Sequence, residues 1–194
     1  MRPFFYGLIG IGHTMDNVEI TPAAIRFSAM NLLAMREHSV FELEKKLLQK
    51  FNNTELLKNS ELLKNTEITD GRELFNCQQS ITIEIAKLTN EGLQSDARFT
   101  EAFIAMRQRQ GKGPLVILME LKERGIHNEV VLAFMNTSDP IWNQTAKKVF
   151  IKKFGDQASH DRKLLSKQMR FLTTRGFSSA NIQYAIKNTD LCTD

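Results

Sequence analysis

The stretch Met169–Lys187, which reads MRFLTTRGFSSANIQYAIK, contains a pattern that occurs three times in the chain. In each copy a glycine follows four residues after a leucine, and an apolar residue follows the glycine. A glycine in this place can adopt the left-handed conformation that closes a helix, and the apolar residue then folds back onto the core. The copies are Leu172-Gly176-Phe177, Leu121-Gly125-Ile126 and Leu88-Gly92-Leu93.

Each copy predicts the end of one helix and the start of the next. Ser178 and Ser95 follow two of the copies, where a serine oxygen can accept hydrogen bonds from the unpaired amides of a helix start. A degraded fourth copy runs from Leu47 to Phe51, with Asn52 in the place of the left-handed residue. Recurrence of one junction type predicts a duplicated helical unit, and stacked units of this kind share a continuous core.

Further helix starts divide the chain. Thr21-Pro22 is a cap followed by proline at the first helical position, Ser39 and Glu42 have the spacing of a capping box, and Asp139-Pro140 opens the last repeat. We predict an all-α fold of three tandem three-helix repeats that form an elongated, curved array. The predicted divisions are a flexible arm (1–21), repeats at 22–94, 95–137 and 138–188, and a tail (189–194).

Two segments of the first repeat are ambiguous. Residues 52–77 contain near-duplicate hexads at 54–59 and 60–65, and a period of six fits neither a helix nor a strand, so a polar inserted loop is predicted there. Residues 81–85 alternate as a strand does, but Ile81, Ile85 and Leu88 also have helical spacing. A lone strand would have no ladder partner, so a helix is favoured.

The composition is that of an ordinary globular protein, with 42% hydrophobic and 25% charged residues. No apolar run is long enough to span a bilayer, and Met1–Gly12 lacks the cleavage site of a secretory signal. Cys77 and Cys192 lie far apart in the sequence, without neighbours of the metal-ligand type. We therefore expect a cytoplasmic protein that does not enter a membrane.

Positive charge is concentrated in the second half of the chain. Residues 1–96 hold 10 Lys and Arg against 13 Asp and Glu, whereas residues 97–194 hold 16 against 9. A basic half of this kind attracts nucleic acid or an acidic protein surface. The alternative is that these side chains only solvate helix faces.

Catalytic chemistry finds little support in the sequence. His13, His38, His127 and His160 occur singly, without the paired spacing of metal ligands. The glycines of residues 7–12 precede neither a phosphate-binding helix nor a Walker lysine. We expect no catalytic residue, metal or cofactor, and a protein that is not an enzyme.

Basic side chains with helical spacing are the candidate partner-binding residues. Lys163, Lys167 and Arg170 share one face of a predicted helix at 162–175, opposite an apolar face. Lys148 and Lys152 have the same spacing on the preceding helix. The candidate basic face consists of Arg107, Arg109, Lys112, Arg124, Lys148, Lys152, Lys163, Lys167, Arg170 and Arg175.

Four segments of the chain carry a recognisable combination of residues. They are Met35-Arg36-Glu37-His38-Ser39 with Glu42-Leu43; Leu88-x3-Gly92-Leu93-x-Ser95-Asp96-x-Arg98-Phe99; Lys112-Gly113-Pro114 with Leu121-Lys122-x-Arg124-Gly125-Ile126; and Arg170-Phe171-Leu172-x-x-Arg175-Gly176-Phe177-Ser178. In combination these segments resemble the RecX family of regulatory proteins, and the resemblance covers about residues 23–187. The chain departs from the family in residues 52–77, in its glycine-rich N-terminal segment, and at Phe51, where glycine is common.

The resemblance implies a small cytoplasmic modulator, expected to be a monomer, that lodges in the groove of the RecA–DNA filament. It implies suppression of ATP hydrolysis, strand exchange and coprotease activity by RecA, and hence regulation of recombination, DNA repair and the SOS response. The alternative is a protein that binds DNA nonspecifically and competes for it, with salt-dependent binding to naked DNA. Weak nonspecific DNA contact fits both interpretations.

Overall fold

A computed structural model describes residues 21–62, 70–155, 158–159 and 161–188, with the backbone alone described for 52–62 and 70–76. Within these residues the chain forms nine α-helices and no strand. The helices are α1 (Pro22–Met35), α2 (Val40–Leu62), α3 (Asp70–Asn90), α4 (Asp96–Arg109), α5 (Pro114–Lys122), α6 (Asn128–Phe134), α7 (Ile141–Phe154), α8 (Arg162–Thr174) and α9 (Ser179–Lys187).

The helices pack as three consecutive units, which we call unit 1 (α1–α3), unit 2 (α4–α6) and unit 3 (α7–α9). The most extensive helix contacts lie within a unit, for example between α2 and α3, between α4 and α6, and between α7 and α9. The predicted all-α fold of tandem three-helix repeats is thus confirmed. The residue boundaries of the repeats stay a prediction, and the arm (apart from Thr21) and the tail lie outside the described residues.

The three predicted glycine junctions close their helices in the same way. The glycines have positive φ angles of 72° (Gly92), 74° (Gly125) and 86° (Gly176). In each case the amide after the glycine donates to the carbonyl of the leucine, which is the long bond of a Schellman motif. These N–O distances are 2.9 Å for Leu93 to Leu88, 3.1 Å for Ile126 to Leu121 and 3.2 Å for Phe177 to Leu172.

The three junctions are not three copies of one repeat position. Gly125 and Gly176 connect the second and third helices of units 2 and 3, whereas Gly92 connects unit 1 to unit 2. The expectation that the apolar residue folds back onto the core holds for Ile126 and Phe177, which are buried, but is wrong for Leu93, which is 40% exposed.

Another junction of this type lies at Gly111, between α4 and α5. Gly111 has a φ of 72°, and the amide of Lys112 donates to the carbonyl of Arg107 at 3.0 Å. Here Arg107 stands in the place of the leucine and Lys112 in the place of the apolar residue, so the leucine–glycine pattern does not include this junction. The backbone requirement, a left-handed residue that ends a helix, is the same.

The loop predicted for residues 52–77 is wrong over most of its length. Helix α2 continues to Leu62 and α3 begins at Asp70, while residues 63–69 lie outside the described residues. The degraded fourth junction is wrong for the same reason, because α2 passes through Asn52 without ending. The helix favoured for residues 81–85 is confirmed, since these residues lie inside α3.

Most predicted helix starts are confirmed by side-chain caps. Thr21 Oγ1 accepts from the amide of Ala24 at 3.2 Å, and Ser95 and Ser178 cap α4 and α9. The capping box at Ser39 forms only in part: Ser39 Oγ accepts from the amide of Glu42, but the Glu42 carboxylate pairs with Arg36 and Arg124 instead.

Buried apolar side chains of the described residues form two clusters rather than one continuous core. One belongs to unit 1 and includes Leu43, Leu47 and Phe51. The other is shared by units 2 and 3, where residues such as Phe103 and Trp142 are buried in the same cluster. Units 2 and 3 therefore have a common hydrophobic core, and unit 1 has its own.

Backbone hydrogen bonds also link units 2 and 3. The amides of Gly113 and Leu115, at the start of α5, donate to the carbonyls of Arg175 at 2.7 Å and Gly176 at 3.1 Å, at the end of α8. A Cβ on Gly113 would lie 2.4 Å from the backbone of Gly176. We call this contact the second joint.

We call the contact between units 1 and 2 the first joint. It lies at the equivalent position, where the start of α2 meets the end of α5. Ser39, just before α2, donates through Oγ to the carbonyl of Arg124 at 2.9 Å, as Gly113 donates to Arg175 in the second joint. The amide of Val40 donates to Asp96 Oδ1 at 2.9 Å. Each of these bonds uses a side-chain atom, whereas the second joint uses main-chain atoms on both sides.

Candidate partner-binding surfaces

A groove of about 570 Å³ lies between the α4–α5 turn of unit 2 and helices α7 and α8 of unit 3. We call it the basic groove, because five cationic side chains line it. Two apolar side chains, Val149 and Phe171, contribute to its wall. The cations are Arg109, Lys148, Lys152, Lys153 and Arg175.

Helix α7 supplies three of the cations because of its amphipathic pattern. Its inner face buries Trp142, Ala146 and Phe150 in the core shared with unit 2. Lys148 and Lys152 are four residues apart and therefore lie on the same outer face, about 6 Å apart along the axis. Both side chains are exposed, so their ammonium groups are available to a partner.

Arg175 is held in place at the opposite wall. Its Nη1 donates to the carbonyl of Gln110 at 2.9 Å, and its guanidinium lies 4.9 Å from the centroid of the Phe171 ring. Phe171 in turn contacts Phe154 edge-on at 5.2 Å. Because Arg175 spans from α8 to the end of α4, it fixes the position of the groove relative to both units.

Gly111 permits the close approach that forms the groove. A Cβ on this residue would lie 2.8 Å from Val149 Cγ2 and 3.3 Å from Arg175 Nη1. A larger residue would therefore push the α4–α5 turn away from α7. The left-handed backbone and the lack of a side chain are both required at this position.

Every charged side chain that lines the basic groove in the described part of the chain is positive. Among the described residues that line it there is no Asp or Glu. Like charges held in one concave surface repel each other and raise the local concentration of anions. The groove is therefore suited to bind a group that carries several negative charges.

A second basic surface lies on the exposed side of α8. We call it the α8 face. Its only acidic residue among those described, Asp161, accepts hydrogen bonds from the amides of Lys163 at 2.6 Å and Leu164 at 3.3 Å, and so caps the helix. Its cations are Arg162, Lys163, Lys167 and Arg170.

The predicted basic residues of unit 2 are not all on these surfaces. Arg107 pairs with Glu120 at 2.6 Å, and its guanidinium lies 4.9 Å from the Phe103 ring centroid. Arg124 pairs with Glu42 at 3.2 Å across the first joint and lies 4.7 Å from the same ring. Both arginines thus have internal partners, and Lys112, half-buried, lines neither surface.

The structure groups the remaining candidates into two sets. Arg109, Lys148, Lys152 and Arg175 meet in the basic groove, while Lys163, Lys167 and Arg170 share the α8 face. Sequence reasoning missed Lys153 and Arg162. Arg162 had a usable signal, because it lies eight residues before Arg170 and so near the same side of the helix.

The described residues contain neither a metal-binding cluster nor a membrane-spanning helix. No group of three or more His, Cys, Asp or Glu side chains there is arranged to hold a metal ion. No helix in the same residues is long and apolar enough to cross a membrane. Cys77 is buried in unit 1, and Cys192 lies outside the described residues.

The chain has relatives among known proteins that align with most of its length. A protein of Pseudomonas putida named "Regulatory protein RecX" is 33% identical over 177 residues, which are 91% of this chain and 98% of the relative. A protein of Pseudomonas entomophila with the same name is also 33% identical over 177 residues, or 99% of its length. The chain belongs to the RecX family.

The matched RecX domains correspond to the two units that form the basic groove. The family profile "RecX, second three-helix domain" matches residues 95–133, and "RecX, third three-helix domain" matches residues 143–186. These segments contain α4, α5 and all but the last residue of α6, and most of α7–α9. The resemblance noted in the sequence is thus confirmed, and the basic groove lies between two recognised RecX domains.

Solved RecX structures share the fold. The crystal structure of RecX from Lactobacillus salivarius aligns with a TM-score of 0.62 at 22% identity, over 88% of this chain and 97% of that one. A second crystal structure of regulatory protein RecX aligns with a TM-score of 0.61 at 19% identity, over 91% of this chain and 75% of that one.

Proposed function

We propose that this protein is a non-enzymatic inhibitor of the RecA recombinase that binds in the groove of the RecA–DNA filament. It suppresses ATP hydrolysis, strand exchange and coprotease activity by RecA, and thereby regulates recombination, DNA repair and the SOS response. It acts as a cytoplasmic monomer. Membership of a family of regulatory proteins supports this role. Inhibition requires no catalysis by this protein, because binding energy that favours an inactive or shortened filament is sufficient.

The observation that carries this function is the presence of two separate basic surfaces on units 2 and 3, which share a hydrophobic core. A filament of recombinase on DNA offers both acidic protein and phosphate, and two surfaces can engage both. Helix α8 has features of a protein contact, because it exposes Leu164 (48%) and Met169 (39%) in addition to the cations of the α8 face. Apolar side chains together with arginine are typical of protein interfaces.

The α8 face therefore contacts recombinase subunits in this proposal. Reversing Lys163, Lys167 and Arg170 to glutamate is expected to abolish inhibition without unfolding the protein, because all three side chains are exposed. Circular dichroism and thermal melting check that the triple variant is folded. Full inhibition by the folded variant would remove the α8 face from the mechanism.

The deciding assay is ATP hydrolysis by the cognate RecA on single-stranded DNA, titrated with this protein. A binding isotherm for the same DNA without RecA is measured in parallel. Inhibition at concentrations too low to occupy bare DNA supports a filament inhibitor. Inhibition that appears only as the DNA becomes saturated supports the alternative, a nonspecific DNA-binding protein that competes with RecA for DNA.

A further inference from the structure

The basic groove and the α8 face differ in more than location. The groove is concave between two units, and its cations come from α4, α7 and α8, whereas the α8 face belongs to one helix. Helix α8 also exposes Leu164 and Met169 outside the α8 face, while the apolar residues of the groove, Val149 and Phe171, are partly buried against the core. The two surfaces are therefore suited to different partners.

The polar residues of the groove are of the types that contact phosphate groups. Besides its arginines and lysines, the groove is lined by Gln108, Gln110 and Thr145. Arginine, lysine, glutamine and threonine side chains are common donors to nucleic-acid phosphates, and such contacts carry no sequence information. Lysine acts here as a mobile point charge, which tolerates the changing position of phosphates along a strand.

An acidic peptide is less well matched to the groove. Peptide recognition usually needs an apolar or aromatic anchor pocket beside the charges. The Phe171 ring cannot provide one, because it already contacts the Arg175 guanidinium at 4.9 Å and the Phe154 ring at 5.2 Å. The same contacts prevent a base from stacking on Phe171, so recognition of bases is not expected either.

We infer that the basic groove binds the phosphodiester backbone of nucleic acid, independently of base sequence, through Arg109, Lys148, Lys152, Lys153 and Arg175. This inference extends the proposed function. It rests on that function only for the source of the nucleic acid, which would be the DNA of the RecA filament. Binding itself requires no recombinase. The groove thus holds the nucleic acid while the α8 face contacts protein.

Two lysine pairs with the same spacing provide a matched test. Lys148 and Lys152 line the groove, and Lys163 and Lys167 lie four residues apart on the α8 face. The full-length variants Lys148→Gln/Lys152→Gln and Lys163→Gln/Lys167→Gln lose the same charge from exposed positions. Circular dichroism and thermal melting establish that both are folded.

Binding of each variant to a fluorescein-labelled oligothymidylate is measured by anisotropy without RecA, from about 50 to about 200 mM salt. The groove variant is expected to bind roughly tenfold more weakly at low salt, and its slope of log K against log salt to fall by about 1.4, for two lost phosphate contacts on a single strand. The α8 variant is expected to bind as the unmodified protein does.

Equal weakening of both variants would overturn the inference, because it would show that only net charge matters. Weakening of the α8 variant alone, or of neither, would also overturn it. Polyglutamate of matched charge is the competitor control. If polyglutamate displaces the labelled oligothymidylate as effectively as unlabelled oligothymidylate does, the groove would be assigned to carboxylates instead. Loss of RecA inhibition is measured separately, so the proposed function and the groove assignment fail independently.

Discussion

The two joints between the three units place corresponding residues together but hold them by different bonds. In both, the end of the second helix of one unit meets the start of the second helix of the preceding unit. The carbonyl of Arg175 accepts from the amide of Gly113 in the second joint, and the carbonyl of Arg124 accepts from the hydroxyl of Ser39 in the first.

The difference lies in what surrounds these bonds. The second joint has backbone bonds on both sides and a hydrophobic core shared by units 2 and 3. The first joint depends on ion pairs and on side-chain hydrogen bonds, including Arg98 with Glu37 at 2.8 Å and Gln94 Nε2 to the carbonyl of His38 at 3.2 Å. The basic groove, which spans units 2 and 3, is thus built across the more rigid connection.

The largest effect is expected from Gly176→Ala in the second joint. A Cβ there would lie 2.5 Å from the amide nitrogen of Val116, and the φ of 86° is unfavourable for alanine. The expected loss of unfolding free energy is about 3–5 kcal/mol, from left-handed strain and overpacking together. Urea denaturation measures it.

Gly92→Ala is the control for this variant. Gly92 has a similar φ of 72°, but a Cβ on it would meet nothing within 4 Å. It is expected to lose only the left-handed cost of about 1–2 kcal/mol. Equal losses in the two variants would show that the close backbone contact at Gly176 contributes nothing.

Gly125→Ala tests the first joint at the position equivalent to Gly176. The added Cβ would lie 2.7 Å from the Cβ of Phe41. We expect a smaller loss than for Gly176→Ala, about 2–3 kcal/mol, because no shared core prevents unit 1 from shifting away. The same urea titrations compare the two, and a loss larger than that of Gly176→Ala would contradict the difference in rigidity.

Arg124→Met removes one ion pair of the first joint while it retains much of the apolar stem. The variant loses the bond to Glu42, the bond from Nη1 to the carbonyl of Glu120 at 2.6 Å, and the contact with Phe103. We expect a loss of about 1–2 kcal/mol.

The variant Glu42→Gln completes a double-mutant cycle that isolates the coupling between Arg124 and Glu42. This coupling is expected to weaken as salt is added, because both side chains are partly exposed. A coupling near zero at low salt, together with a loss of stability in Arg124→Met alone, would indicate that the contact with Phe103, and not the ion pair, holds Arg124.

The smallest effect is expected from the pH dependence of the first joint. His38 is 2% exposed, and burial lowers its pKa from the usual 6.5. The hydrogen bond to the Arg36 carbonyl and the Glu42 charge oppose this lowering of the pKa, while the positive charges of Arg36 and Lys46 add to it. The unfolded chain therefore takes up a proton at a higher pH than the folded chain, so the free energy of unfolding falls as the pH drops through about 6.5.

His38→Asn removes this ionisation and retains a side-chain N–H near the carbonyl of Arg36, to which His38 Nδ1 bonds at 2.9 Å. Urea unfolding of both proteins between about pH 7.5 and about pH 5.5 is the measurement. The unmodified protein is expected to lose more stability than the variant on acidification. Parallel pH profiles would mean that protonation of His38 is not coupled to folding.

Local signals predicted much of the fold because their causes lie within a few residues. The left-handed glycines at Gly92, Gly125 and Gly176 and the caps at Thr21 and Ser178 depend on neighbouring backbone groups, and all were found where expected. The failure at residues 52–62 has a comparable cause. The period of six in this segment does not forbid a helix, because each of its asparagines costs a helix only about 0.5–0.7 kcal/mol relative to alanine.

The candidate surfaces were predictable only in part, as Arg107 and Arg109 illustrate. Two residues apart on α4, they project to different sides, so one pairs with Glu120 and the other lines the basic groove. The pattern of Lys163, Lys167 and Arg170 was easier, because all three lie on one helix and share its exposed side.

The sequence by itself determined the all-α repeats, the three leucine–glycine junctions, the family and the concentration of positive charge in the second half, since these follow from short-range backbone preferences and composition. The tertiary structure alone decided that Arg109, Lys148 and Arg175 meet in one groove and that Arg124 serves a joint. The physical reason is distance along the chain: residues of α4, α7 and α8 come together only through the core and backbone bonds that connect units 2 and 3.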